Sequence, residues 1–346
     1  MSLLAELTLA SESTLAADQT AASLVAAAVW APSVHNTQPW WFATDGRELT
    51  LYADARRQLT VADPSGREML ISCGAALFTT RLALRALGWI PQAVVFPDRA
   101  DPLLVARISW RQHEEPARYE LRLFDQVLTR RTHRGGFDPL PIAPDLLAVL
   151  QMGARRDQAE LRVISSAAGR AFLAAAVQDA EQAMQVSGSH VRELATWTSP
   201  PGSSRMDGLS ATAYPARPTH TIPDFPSRDF AHGRGWGLPR SSADSAARWP
   251  GAVCLLTTPG DSPANWVNAG QALQRILLTS AASGVAAALH SQPLELTWLR
   301  ELVHSRVGDG SYPQLLIRLG TVIQTSSSVR RPLQAVLLTA ATPAAG

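Results

Sequence analysis

Two stretches, CGAALFTTRLALRALG (residues 73–88) and AGQALQRILLTSAASG (residues 269–284), decide how this chain is read. Each is rich in alanine and leucine, lacks proline and ends on glycine, as a long buried helix with a glycine stop does. At one fixed offset Gly74 meets Gly270, Ala76 meets Ala272 and Leu77 meets Leu273. Leu82 then meets Leu278, Ala86 meets Ala282 and Gly88 meets Gly284. Any two helices of this composition share letters. Both glycine pairs fall in register, however, and β-rich segments flank each helix, which favours a diverged internal duplication. Duplicated halves pack about a pseudo-two-fold axis, like an isologous dimer. The small residues Gly270, Ala281 and Gly284 are expected to let the two helices approach closely.

The composition bounds the rest. The chain has 346 residues, 46% hydrophobic and 17% charged, enough for one large or two ordinary domains with a real core. A formal net charge of +2 gives no basic footprint for nucleic acid. Lysine is absent, so an anion site must use arginine, histidine or backbone amides. The two cysteines, Cys73 and Cys254, lie in apolar runs and read as core residues. Glu6, Glu12 and Asp18 precede the first arginine, Arg47, opposite to a secretory leader. The longest uncharged run, residues 19–44, is interrupted by Pro32, Pro39 and side-chain amides, unlike a membrane span. The expectation is a soluble cytoplasmic protein with no membrane and no nucleic-acid partner.

Along the chain, residues 20–31 read as a helix and ELTLYAD as a strand. DPSGRE reads as a turn into the first long helix, with Ser65 as cap and Glu68 three residues on. QAVVFPD and LLVARISW read as strands, and charge density rises at residues 113–122. A boundary there divides the chain into residues 1–118 and 119–346. In the second part, DLLAVLQMGARR is helical, AELRVIS a strand and residues 166–196 one long helical segment. Residues 198–250 are rich in Gly, Pro, Ser and Arg and form a candidate lid. GAVCLLTT and YPQLLIRLG read as strands around the second long helix.

Two polar constellations stand out. WAPSVHNTQPWWF (residues 30–42) places Ser33, His35, Asn36, Thr37 and Gln38 between prolines and tryptophans. Arg130, Arg131 and Arg134 surround Thr132, a pattern suited to phosphate oxygens and equally to a solvated basic turn. Arg330 and Arg331 form a second basic pair, and spacing alone does not bring the two clusters together. No Gly-rich phosphate loop follows a strand, no G-x-S-x-G elbow is present, and the eight histidines show no metal spacing. No metal is expected.

In this order the motifs resemble the nitroreductase superfamily. APSVHNTQPW is similar to its flavin-contacting segment and RRTHRGGF to its Arg-x-Ser/Thr-x-Arg/Lys phosphate and ribityl motif. NAGQALQRILLTSAASG, SQPLE, YPQLLIRLG and RRPL resemble its central helix, N5-side loop, late strand and C-terminal phosphate arm. DPSGREMLISCGAAL is similar to the two-lobed, single-chain Acg branch. The resemblance implies an α+β, nitroreductase-like fold: an internally duplicated pseudo-dimer with mixed, largely antiparallel sheets flanked by helices. It implies FMN, bound once between the lobes. Arg130, Thr132, Arg134 and Arg331, with Arg330, would take the phosphate and ribityl chain. Pro32, Ser33, Asn36 and Gln38 would reach the ring from the first half. Ser291, Gln292, Pro293, Leu294 and Glu295 would line the N5 side, a backbone amide polarising N5. Leu296 stands where the family has a small residue, so the resemblance does not fix the depth of the pocket. The family has no dedicated acid–base residue; His35 is the one histidine in a flavin motif, and a packing role suits it better. The implied activity is electron or hydride transfer between FMN and a small organic molecule, with NAD(P)H as a possible donor. The alternative is an FMN-sequestering protein whose lid covers the flavin. A chain that is its own pseudo-dimer is expected to be monomeric.

Overall fold

The computed structural model describes residues 15–46, 48–239, 249–322 and 327–339. The first sheet is built from β1 (Trp40–Thr44), β2 (Glu48–Ala53), β3 (Trp89–Val95) and β4 (Leu104–His113). Their spatial order is β1-β2-β4-β3, antiparallel throughout. The long helix α2 (Arg67–Ala86) connects β2 to β3, and α1 (Leu15–Ala28) packs beside it. Side chains alternate buried and half-buried along β1 and β2, because one face of this sheet meets the helices.

The second half repeats that order. It contains β6 (Glu160–Val163), β7 (Ala252–Thr258), β8 (Ala286–His290) and β9 (Tyr312–Gly320), with the helix α7 (Pro263–Ala281) between β7 and β8. The order β6-β7-β9-β8 is again antiparallel throughout. Helices α4 (Pro144–Arg156) and α7 cover one face, while α5 (Ala167–Val186) and α9 (Thr297–Val307) cover the other. With both faces covered, β7 and β9 are nearly continuous apolar runs. Two short strands complete the sheets. β5 (Thr132–His133) joins β8 in parallel. β10 (Leu337–Thr339) joins β1 in parallel, so the C-terminal arm returns to the first sheet.

The halves meet where α2 crosses α7. A Cβ at Gly270 would overlap the carbonyl oxygen of Ile71, and a Cβ at Gly74 would overlap that of Val267. The hypothetical Gly74 Cβ would also sit 3.0 Å from Gly270 Cα. In the sequence match Val267 is the counterpart of Ile71, so the contact maps onto itself when the halves are exchanged. The entropic cost of a mid-helix glycine is about 0.5–1 kcal/mol. Here it is offset by backbone contact that no side chain permits. Ala281 and Gly284 were expected to share this role and do not: Ala281 is half-buried and Gly284 is exposed. Gly284 has φ +70°, a helix-ending conformation like that of Gly88 at +82°.

Two local expectations are corrected. The start of α2 is capped by Asp63, whose Oδ2 accepts the Met69 N–H at 2.9 Å, and not by Ser65. Helix α2 begins after Gly66 in the left-handed region, which points a carboxylate three residues back at its free amides. Residues 166–196 form two helices, α5 and α6 (Gly188–Thr196), broken at Ser187. By length and composition α2 is apolar enough to span a membrane, but it is the central buried helix of this fold. Cys73 and Cys254 are buried, and burial raises both thiol pKa values, that of Cys254 to about 12.

The candidate lid has a core of its own, formed by Leu209, Ala213, Tyr214, Phe230 and Ala231. Backbone bridges Thr198–Leu209 and Pro215–Leu238 close it into loops. Its residues 240–248 lie outside the described residues.

Candidate functional site

A cavity with about 930 Å³ of open space, its mouth included, lies where the two halves and the lid meet. Pro32, Ser33 and His35 enter from the first half and Thr132 and Arg134 from β5 and its flank. Ser291 and Gln292 come from the loop after β8, and Leu209, Arg228 and Phe230 from the lid. Residues widely spaced in sequence thus share one wall because the turn before β1, the start of α2, β5, β8 and the candidate lid converge there.

The stretch 30–42 is a compressed turn. His35, Asn36 and Gln38 have φ of 46°, 55° and 49°, left-handed values that side chains rarely adopt. Ser33 Oγ accepts the Gln38 N–H at 2.9 Å and closes the turn. The amides then act as clamps. Asn36 Nδ2 donates to Gly208 O at 2.9 Å in the lid and to Val329 O at 3.1 Å in the C-terminal arm. Gln38 Nε2 donates to Met206 O at 3.0 Å, and its Oε1 accepts the Arg331 N–H at 2.8 Å. Asn36 and Gln38 therefore lie behind the cavity and stitch lid and arm to the first half, while Pro32, Ser33 and His35 face it.

Beside this turn the two basic clusters meet. Arg130 Nη2 and Arg330 Nη2 both donate to the Trp30 carbonyl, at 3.4 and 3.3 Å. The guanidiniums of Arg131 and Arg330 lie over the Trp30 ring, 4.7 and 5.1 Å from its centroid. Arg134 donates to Ala213 O at 2.8 Å and lies over Phe230 of the lid. Among the described residues no carboxylate pairs with Arg130, Arg134 or Arg330. Burial, then Arg131 and Arg134, lowers the pKa of Arg130 to about 9; burial lowers that of Arg134 to about 10. Arg330 is pushed down by burial and then by Arg130, Arg131 and Arg134. Both Arg130 Nε and Arg330 Nε are buried without a hydrogen-bond partner among the described residues. Arg331 lies elsewhere: it donates to Gln38 O and Trp40 O, each at 3.2 Å, and fastens the arm to β1.

On the far side of the cavity the loop after β8 forms the one-turn helix α8 (Gln292–Glu295). The amides of Leu294 and Glu295 both donate to Ser291 O, at 2.8 and 3.1 Å. Pro293 and Leu294 are buried, Leu294 in the core with Val253 and Leu255. Leu296 packs against that core, away from the cavity wall. The Glu295 side chain is fully buried, receives Ser291 Oγ–H at 2.5 Å and pairs with Arg228 of the lid at 3.1 Å. Arg228 also donates to His35 Nε2 at 2.8 Å, and Glu181 lies 3.7 Å away. Burial alone lowers the Arg228 pKa; Glu295 and Glu181 outweigh it and raise it. One lid arginine thus joins the first-half turn to the loop of the second half. His35 is held neutral by burial, then by Arg228 and Arg134, with Nε2 as acceptor, so it has no proton there to give.

Sequence reasoning missed Glu68, Arg228, Phe230, His290 and Arg318, all of which line the cavity. Arg318 left a signal: a charge inside the apolar run LLIRLG. It is buried, donating from Nε to His290 Nε2 at 2.8 Å and from Nη2 to Gly135 O at 3.1 Å. Arg228 lies in an irregular segment with no periodicity, and nothing local marked it.

No protein-family model matches the sequence. Among curated proteins, Rv3131 of Mycobacterium tuberculosis is 34% identical over 304 residues, 87% of this chain and 85% of the relative. Its name gives NAD(P)H nitroreductase as a provisional activity. The protein Acg of the same organism, named in the same way, is 29% identical over 91% of this chain and 94% of its own length. A nitroreductase from Desulfitobacterium hafniense, crystallised with bound FMN, aligns at 14% identity and a TM-score of 0.39. It covers 62% of this chain and 95% of its own. The fold and site define an α+β protein in which a buried arginine cluster, with no carboxylate partner among the described residues, lies beside a cavity. The chain belongs to the nitroreductase family, among the relatives of Rv3131 and Acg.

Proposed function

We propose that this protein is an FMN-dependent oxidoreductase of nitroreductase type, with one flavin per chain held between residues 1–118 and 119–346. The observation that carries this reading is the arginine cluster. Burying an ion costs several kcal/mol, roughly, and like charges add to that cost. A phosphate dianion at Arg130, Arg134 and Arg330 would offset it, and the unpartnered Nε atoms of Arg130 and Arg330 suit such an anion. Thr132 would add its hydroxyl at the ribityl chain, and Pro32, Ser33, Ser291 and Gln292 would border the ring. When bound, FMN supplies the two-electron chemistry, and the protein supplies position and electrostatics. The repeated strand order and the self-mapping Gly74–Gly270 crossing support a duplicated ancestor and a monomeric pseudo-dimer.

A second reading, FMN sequestration, is favoured by the lid. Arg228 ties it down on a fully buried carboxylate, and Leu209 and Phe230 line the cavity. Anaerobic addition of NADH or NADPH to the FMN-loaded protein separates the two. The oxidoreductase reading expects rapid loss of the flavin's visible absorbance. Light-driven reduction without any response to either nucleotide would support sequestration and contradict nicotinamide-driven turnover.

A further inference from the structure

We propose that Glu68 is the proton-donating acid of the cavity, delivering its proton to the acceptor substrate as hydride arrives. This rests on the oxidoreductase reading above. Glu68 is the second residue of α2, lines the cavity and is 5% exposed. Its Oε1 accepts from Arg67 Nη2 at 3.0 Å, while Oε2 is buried with no partner among the described residues. Two further buried carboxyl groups, Glu295 and Asp63, act on it, with two arginines, Arg67 and Arg228. Glu295 is held by Arg228 and Ser291, Glu181 lies near Arg228, and Asp63 receives the Met69 amide. Arg67 divides its donors among Gln314 O at 2.7 Å, Leu294 O at 3.3 Å and Glu68. Arg67 is therefore the one ion-pair partner of Glu68 among the described residues, it is shared with the Gln314 and Leu294 carbonyls, and Oε2 stays unpartnered.

The groups acting on Glu68 agree with that placement. Burial and then Glu295 raise its pKa well above the carboxylate range, with Asp63 adding and Arg67 and Arg228 opposing. Elsewhere on the wall, burial holds His35 and His290 neutral. His133 Nε2–H is bonded to Gly136 O at 2.9 Å, and Arg134 and Arg318 retain their protons at neutral pH. A neutral Glu68 is a carboxylic acid in the wall of the cavity.

The step balances with a quinone-type acceptor. A reduced flavin, when bound, would supply two electrons and one proton to the acceptor as hydride. The Glu68 O–H bond breaks, the acceptor's oxygen takes that proton, and the carboxylate left behind faces Arg67. Asp63, whose pKa burial raises to about 6, lines a second cleft with Arg67 and Glu295 and can return the proton from solvent.

The test uses infrared spectroscopy and p-benzoquinone. The infrared spectrum should contain a protonated-carboxyl C=O band that the isosteric Glu68→Gln variant lacks, with or without FMN. Loss of no such band would overturn the proposal. With FMN-loaded, pre-reduced protein, Glu68→Gln should slow reoxidation by p-benzoquinone roughly 10²- to 10⁴-fold. The wild-type rate should fall as pH rises through the raised pKa of Glu68, the variant's should be flat, and Glu68→Asp should regain part of the rate. No FMN uptake by the wild type would overturn the oxidoreductase reading and this inference with it. Normal FMN uptake with an unchanged Glu68→Gln rate would overturn this inference alone.

Discussion

Replacing Gly270 by alanine should destabilise the protein by about 3 kcal/mol or more, a large fraction of a typical domain's stability. The added methyl meets the Ile71 carbonyl and lies close to Ala75 N, both backbone atoms of α2, so no rotamer change relieves it. The helices must separate, and separation opens the packing of Ala269, Ala272 and Leu273 on one side and Ala75 and Ala76 on the other. Gly74→Ala should cost about as much, because Val267 O meets it in the same way. The double variant should cost clearly less than the two losses added, since a crossing already opened accommodates the second methyl. Thermal melts or urea unfolding read all three. A Gly270→Ala variant as stable as wild type would mean that the crossing does not hold the halves together.

Arg228→Ala should cost about 3–5 kcal/mol, the usual loss when one partner of a buried ion pair is removed. Glu295 would be left with Ser291 Oγ–H as its remaining side-chain donor, in a place where its side chain has no solvent exposure. It must then take up a proton or draw the lid open. Limited proteolysis within residues 198–239 should accelerate alongside the fall in melting temperature. Arg228→Met combined with Glu295→Gln should recover part of the loss, because the fully buried carboxylate is then neutral while Glu181 still loses its arginine. Unchanged proteolysis and melting in Arg228→Ala would show that the segment is held by its own core and its other ties, among them Asn36, Gln38 and Arg134.

Much of this was legible in the sequence, for physical reasons. Strand and helix periodicity follow from burial, so β2, β3, β4, α2 and α7 were readable, and the glycines kept in register marked a place where backbone must touch backbone. Ser65 failed as a cap because Gly66 turns the chain and brings Asp63 onto the helix amides, a three-dimensional effect of one left-handed residue. The arginines were readable as a cluster, but only the fold shows that Arg330 joins it and Arg331 does not. They are adjacent, so their side chains leave an extended arm on opposite sides. Asn36 and Gln38 were legible as unusual and not as clamps, because their partners lie in the lid and the arm. Arg228 and Glu68 owe their roles to residues far away in sequence, and no local pattern carries that information.

The arginine cluster is the proposed phosphate site, and its anion affinity carries the FMN reading. Equilibrium titration of the apoprotein with FMN and with riboflavin, for wild type and Arg130→Ala, isolates it. Riboflavin shares the ring and lacks the phosphate, so wild type should bind FMN more tightly. Arg130→Ala should weaken FMN roughly 10- to 150-fold, the equivalent of about 1.5–3 kcal/mol for a hydrogen bond to a charged group. Riboflavin affinity should barely move. Equal affinity of wild type for the two flavins, or unchanged FMN affinity in Arg130→Ala, would contradict the account.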